Sequence, residues 1–107
     1  MNKNKTNTLP DAPYADEFFE ALLSLETAAE FRAFFEDVCT PRELAEITQR
    51  HKVAKLLFAK HVYNDIVRMT GASTATISRV NRSLQSGSGG YEIAFAKEQR
   101  GEAKERQ

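Results

Sequence analysis

Residues 70–84 read "TGASTATISRVNRSL". One glycine precedes a run of small hydroxyl-bearing residues, then the branched apolar residues Ile77 and Val80 and the arginines Arg79 and Arg82. Gly71 can take the left-handed conformation that ends a helix, and Ser73 can cap a new one. Before the glycine, Val62, Tyr63, Ile66, Val67 and Met69 predict a short helix ending at Thr70. After Ser73, Ile77, Val80 and Leu84 recur at helical spacing as the inward side of the next helix. The stretch therefore supplies the turn and second helix of a helix-turn-helix over about residues 62–85. Counted over twenty positions from Tyr63, the turn glycine is ninth, and apolar anchors stand fourth, tenth, fifteenth and eighteenth, at Ile66, Ala72, Ile77 and Val80. Two helices that cross steeply must touch at those places.

The residues left pointing outward are Ser73, Thr74, Ala75, Ser78, Arg79 and Arg82, and Thr76 joins them as a candidate DNA contact. A helix start this slim can enter a major groove about 12 Å wide. Its N–H groups and hydroxyls can bind phosphate, its Thr and Ala methyls can meet thymine, and an arginine can grip guanine O6 and N7. A merely soluble helical hairpin would carry Glu and Lys in i,i+4 pairs on such a face. No acid occurs between Thr74 and Arg82, so the pattern favours nucleic-acid binding, with residues 74–85 as the recognition helix.

The flanking sequence is helical as well. Residues 1–13 are polar, carry Pro10 and Pro13 and show no periodicity, which predicts a disordered N-terminal tail. From Tyr14 the apolar residues Phe18, Leu22 and Leu25 form a helical stripe, widened by Phe19 and Leu23. "TAAE" offers Thr27 as N-cap and Glu30 as its capping-box partner, ahead of Ala28, Phe31, Phe34, Phe35, Val38 and Cys39. "TPRE" is a stronger start, with Thr40 as cap, Pro41 at the first helical position and Glu43 at the third. That helix is predicted to run to Phe58 or Ala59 with Leu44, Ile47, Ala54, Leu57 and Phe58 inward, and Val53 and Leu56 as extra apolar positions. A break near Lys60 and His61 is required, although no glycine or proline marks it. "SGSGG" at residues 86–90 is a flexible connection to a last short helix or docked segment around Tyr91, Ile93, Ala94 and Phe95. The expected organisation is one all-α domain over residues 14–96 and a charged, fraying tail over 97–107.

The chain has no net charge, with 15 Lys and Arg against 15 Asp and Glu, yet these residues are strongly segregated. Residues 1–49 carry four cations against ten acids, whereas residues 50–82 carry seven cations (Arg50, Lys52, Lys55, Lys60, Arg68, Arg79 and Arg82) against Asp65 alone. The recognition segment closes this single basic block, which points to a polyanion. With one cysteine, Cys39, there can be no internal disulfide, and no 18-residue apolar run is present. The expectation is a soluble, cytoplasmic chain without membrane insertion.

At these residues the sequence resembles the tryptophan repressor family, in particular its branch of small tryptophan-repressor-related helix-turn-helix proteins. The similarity runs without a gap from "TPRELAEITQRHKVAKLL" through "TGASTATISRVNRSL", about residues 40–84. The resemblance implies a six-helix fold and an interlaced homodimer whose N-terminal helices build a shared core. A twofold dimer would set two recognition helices about one DNA turn apart, on a pseudo-palindromic double-stranded site. It further implies a contact from Asn64, which aligns with an arginine of the repressor's first motif helix, so the preferred operator should differ.

In the repressor a tryptophan lies between core and reading head, and the corresponding positions here include Thr40, Arg50, Arg79 and Ser83. Two arginines suit an indole sandwich and a carboxylate. The position after Arg79 is glycine in the repressor and Val80 here, where a branched side chain would fill the cavity; this speaks against a small-molecule corepressor. Contacts of Arg50 and Arg79 with DNA or neighbouring acids are the alternative. His51, His61 and Cys39 have no metal-ligand spacing, no glycine-rich phosphate loop follows a strand, and no catalytic motif occurs, so neither a metal nor an enzyme is expected. The sequence thus predicts a dimeric, sequence-specific transcriptional regulator, a repressor by its resemblance. The alternatives are an amino-acid-gated version and a helical protein-interaction module.

Overall fold

The computed structural model describes residues 12–105, and the side chains of residues 12–101. The tail expected at the N-terminus falls almost wholly outside the described residues. Six helices and no strand occur among them, so the chain is all-α: α1 Ala15–Leu23, α2 Ala28–Val38, α3 Pro41–Phe58, α4 Tyr63–Thr70, α5 Thr74–Ser86 and α6 Gly90–Glu105. The described residues divide into two compact units, one ending at Val38 and the other beginning at Cys39.

The first unit is the pair α1 and α2. Thr27 Oγ1 accepts the N–H of Glu30 at 3.1 Å, as its cap role predicts. The Glu30 carboxylate reaches one residue further back than a capping box requires and takes the N–H of Glu26 at 2.7 Å. Phe18 meets Phe34 and Phe35 at ring-centroid distances of 5.9 and 6.3 Å, which joins the two helices. No residue of either helix is buried. Tyr14, Phe19 and Leu23 are 77%, 58% and 85% exposed.

The second unit holds the entire buried set: Val53, Ala54 and Leu56 of α3, Ile66 of α4, Ala72 of the turn, Ile77 and Val80 of α5, and Phe95 of α6. α3 packs on α4, α5 and α6. Its start is the complete capping box predicted from "TPRE": Thr40 Oγ1 accepts from Glu43 N–H at 3.1 Å, and the Glu43 carboxylate accepts from Thr40 N–H at 2.9 Å. The inward face of α3 differs from expectation. Val53 and Leu56 lie in the core, while Ile47 and Phe58 are exposed. At 100° per residue Val53 points opposite to Leu44, so this 18-residue helix has apolar groups on two faces. Periodicity alone does not say which face α4 and α5 will cover.

The break after α3 is a Schellman closure. Lys60 N–H donates to Leu57 C=O at 2.9 Å, and His61 N–H to Leu56 C=O at 3.0 Å. This places Lys60 at φ +71°, a left-handed conformation that glycine usually supplies, which is why no glycine signals the boundary. At the other end of the unit, α6 continues through the charged segment to Glu105. Phe95 anchors it, buried beside Phe58, His51 and Tyr91 at centroid distances of 5.2, 5.8 and 6.0 Å. Lys55 and Glu98 pair across α3 and α6 at 3.2 Å.

Candidate nucleic-acid interface

α4, the turn and α5 form the helix-turn-helix. Gly71 ends α4 at φ +74°, and its N–H donates to Val67 C=O at 2.8 Å. A Cβ at Gly71 would meet nothing within 4 Å, so the need for glycine lies in its backbone conformation and not in space. Ser73 then caps α5, its hydroxyl oxygen accepting the N–H of Thr76 at 3.1 Å. The four anchors predicted from spacing are all buried, Ile66 and Ile77 at 0% exposure and Ala72 and Val80 at 2%. Four apolar contacts thus hold α5 by one side and leave the other to solvent.

That free side carries the predicted contact residues. Asn64, Ser73, Thr74, Ala75, Ser78, Arg79 and Arg82 are all exposed. Thr76 is half-buried and turned toward the cap, its hydroxyl oxygen accepting from the Ser73 hydroxyl at 3.1 Å. It is the member of the predicted set least free to touch a partner. The first N–H groups of α5 have no intrahelical acceptors and face the same end as these hydroxyls.

The electrostatics favour an anion. α5 contains no acid from Thr74 to Ser86. Asp65, the one acid among residues 50–82, is paired with Arg68 at 2.8 Å. Among the described residues no ion pair engages Arg79, Arg82 or Arg50. Arg79 and Arg82 therefore stand exposed and without an ion-pair partner among the described residues, beside the hydroxyl run.

The model of the family described as Trp repressor protein matches residues 14–99. The chain belongs to the Trp repressor protein family. It is 45% identical over 80 residues to the uncharacterised protein YerC of Bacillus subtilis, a match covering 75% of this chain and 77% of that protein. Its fold is similar to a crystal structure of a TrpR-like protein from Eubacterium eligens, with TM-score 0.77 and 49% identity, covering 80% of this chain and 89% of the other. A candidate Trp repressor from Staphylococcus aureus gives TM-score 0.78 at 42% identity, with 83% and 89% covered.

The four positions aligned with the Trp repressor's ligand site, Thr40, Arg50, Arg79 and Ser83, are exposed. The Thr40 hydroxyl is occupied as the cap of α3, and Arg79 and Ser83 stand one turn apart on α5. Val80 is buried, its side chain part of the core. A cavity of about 220 Å³ lies elsewhere, between α3 and α6, lined by Lys55, Phe58, Ala59, Phe95, Glu98 and Gln99. Among the described residues no group of three His, Cys, Asp or Glu could hold a metal ion, and no helix is long and apolar enough to cross a membrane.

Two residues of the motif's frame carry no signal in the spacing argument. Gln49, half-buried on α3, donates from Nε2 to the C=O of Thr70 at 3.1 Å. The Thr70 hydroxyl donates to Ile66 C=O at 2.7 Å and accepts the N–H of Ala72 at 3.1 Å. A glutamine at i−4 from Val53 is a weak hint, since it puts an amide on a stripe otherwise apolar.

Proposed function

We propose that this protein is a dimeric transcriptional regulator, acting as a repressor, that binds double-stranded DNA sequence-specifically with α5 in the major groove. The observation that carries the reading is the division of α5 into two faces. Ile77 and Val80 are buried, while Thr74, Ala75, Ser78, Arg79 and Arg82 are exposed on a helix without acids. Phosphates bind the hydroxyls, the helix start and the arginines, and base edges are read by the methyls and guanidinium groups. Asn64 at the start of α4 adds a contact from the first motif helix.

The dimer is supported by the first unit. None of its apolar residues is fully buried within one chain: Phe18, Phe34 and Phe35 are only half-buried, and Leu23 and Tyr14 are 85% and 77% exposed. A second copy related by a twofold axis covers them and gives two recognition helices for two half-sites. No corepressor is part of this reading, because Val80 fills the core beside Arg79 and the Thr40 hydroxyl is engaged.

Selection of bound sequences from random duplexes tests the reading. The expected product is a pseudo-palindrome with half-sites about one helical turn apart. Selected DNA without any shared sequence, together with capture of one stoichiometric protein partner by the basic face, would replace it with a protein-interaction role.

A further inference from the structure

Gln49 lies on the same stripe of α3 as Val53 and Leu56, at i, i+4 and i+7, where the other residues of the stripe are buried and apolar. An amide turned onto such a stripe costs free energy unless it is hydrogen-bonded. Its partner is the carbonyl of Thr70, the last residue of α4, which as a C-terminal helix carbonyl has no donor within its own helix. The same residue ties the turn from its side chain: the Thr70 hydroxyl joins Ile66 C=O to the N–H of Ala72. Among the described residues Gln49 makes the only side-chain hydrogen bond between α3 and the helix-turn-helix. The apolar anchors are non-directional and permit a small slide or rotation of the motif on α3. The Gln49 hydrogen bond, at 3.1 Å, is directional and does not, and the two bonds of the Thr70 hydroxyl, both within the motif, hold in place the turn that carries its acceptor.

We infer that Gln49 and Thr70 are positioning residues, which fix the pose of the motif on α3 and thereby set the specificity of DNA binding rather than its overall electrostatic strength. The inference rests on the DNA-binding reading and adds to it two residues that touch no DNA.

The test uses the full chain and a duplex selected by it, against a random duplex of equal length. Gln49→Met removes the donor at nearly constant shape, Thr70→Val removes the hydroxyl, and Thr70→Ser keeps it. Affinity for the selected duplex is expected to fall about tenfold in Gln49→Met, which loses one hydrogen bond, and at least as far in Thr70→Val, which loses two. Affinity for the random duplex and its salt dependence should hold, because no phosphate-binding charge has changed. Thr70→Ser should restore the wild-type ratio. Hydrogen exchange at the Ala72 amide reports the loosened turn without DNA. Loss of protection with an unchanged specific-to-random ratio overturns the positioning role. An equal fall in both affinities with the melting temperature assigns these residues to fold stability and also overturns it. A wild-type chain that selects no sequence fails at the underlying reading, before any variant is compared.

Discussion

α1 and α2 are as rich in large apolar side chains as the helices that follow, yet they fully bury none of them, while every buried residue among the described ones belongs to the second unit. Helices of 9 and 11 residues are too short to persist in water alone, and a fully buried Leu or Phe contributes about 1.5–3 kcal/mol that these two do not obtain within one chain. The second unit obtains it from a compact set in which the motif's anchors are themselves core residues. Composition therefore predicts that a segment needs burial, and it does not say whose surface supplies it. In the proposed dimer the first unit is the part that depends on the second copy, and the second unit is the part that carries the reading face.

The sharpest way to break this contrast is to truncate matched residues in the two units. Ile77→Ala should cost about 3 kcal/mol of stability at any protein concentration, because Ile77 is fully buried. Denaturant unfolding checks it, and a loss below 1 kcal/mol would mean that the motif is not held by the core described. Phe19→Ala should leave the second unit intact and cost roughly 2 kcal/mol of dimer stability, visible in sedimentation as a concentration-dependent shift toward monomer. Equal dimerisation with and without Phe19 would remove the first unit from the interface. A smaller effect separates the two faces of α5. Arg79→Ala and Arg82→Ala should each weaken specific DNA binding by about 1.5 kcal/mol without lowering the melting temperature. If both variants bind the selected duplex unchanged, the reading face lies elsewhere.

The smallest prediction concerns the two turns that bracket α4. Lys60 and Gly71 share nearly the same backbone, φ +71° and +74°, but one is a lysine and the other a glycine. Lys60→Gly should raise stability by about 1 kcal/mol, and Gly71→Ala should lower it by about as much, since only backbone conformation is at issue and an added Cβ at Gly71 is free of contacts. Thermal unfolding of the two variants gives the comparison directly, and a destabilised Lys60→Gly would show that the lysine side chain earns its place by other contacts.

Much of the helix-turn-helix is legible in the sequence because its requirements are local. A cap needs a hydroxyl at Ser73, a left-handed stop favours Gly71, and two crossing helices need apolar residues at Ile66, Ala72, Ile77 and Val80; the structure has each in that state. The same holds for the start of α3 at Thr40 and Glu43. The end of α3 at Phe58, with Ala59 as its cap, also falls where the apolar pattern puts it, although Lys60 takes a left-handed conformation its residue type does not announce. The pairing of Gln49 with Thr70 escaped this logic, since it joins residues 21 apart in sequence.

By itself, then, the sequence determined what short-range chemistry controls: where the helices start and stop at capped ends, the all-α class, the segregated charge and the acid-free face of α5. Only the tertiary structure decided which face of α3 becomes core, burying Val53 and Leu56 in place of Ile47 and Phe58, and where the Gln49 amide finds its acceptor. The reason is physical. A helix with apolar groups on two sides can satisfy either, and the choice belongs to the elements that pack against it.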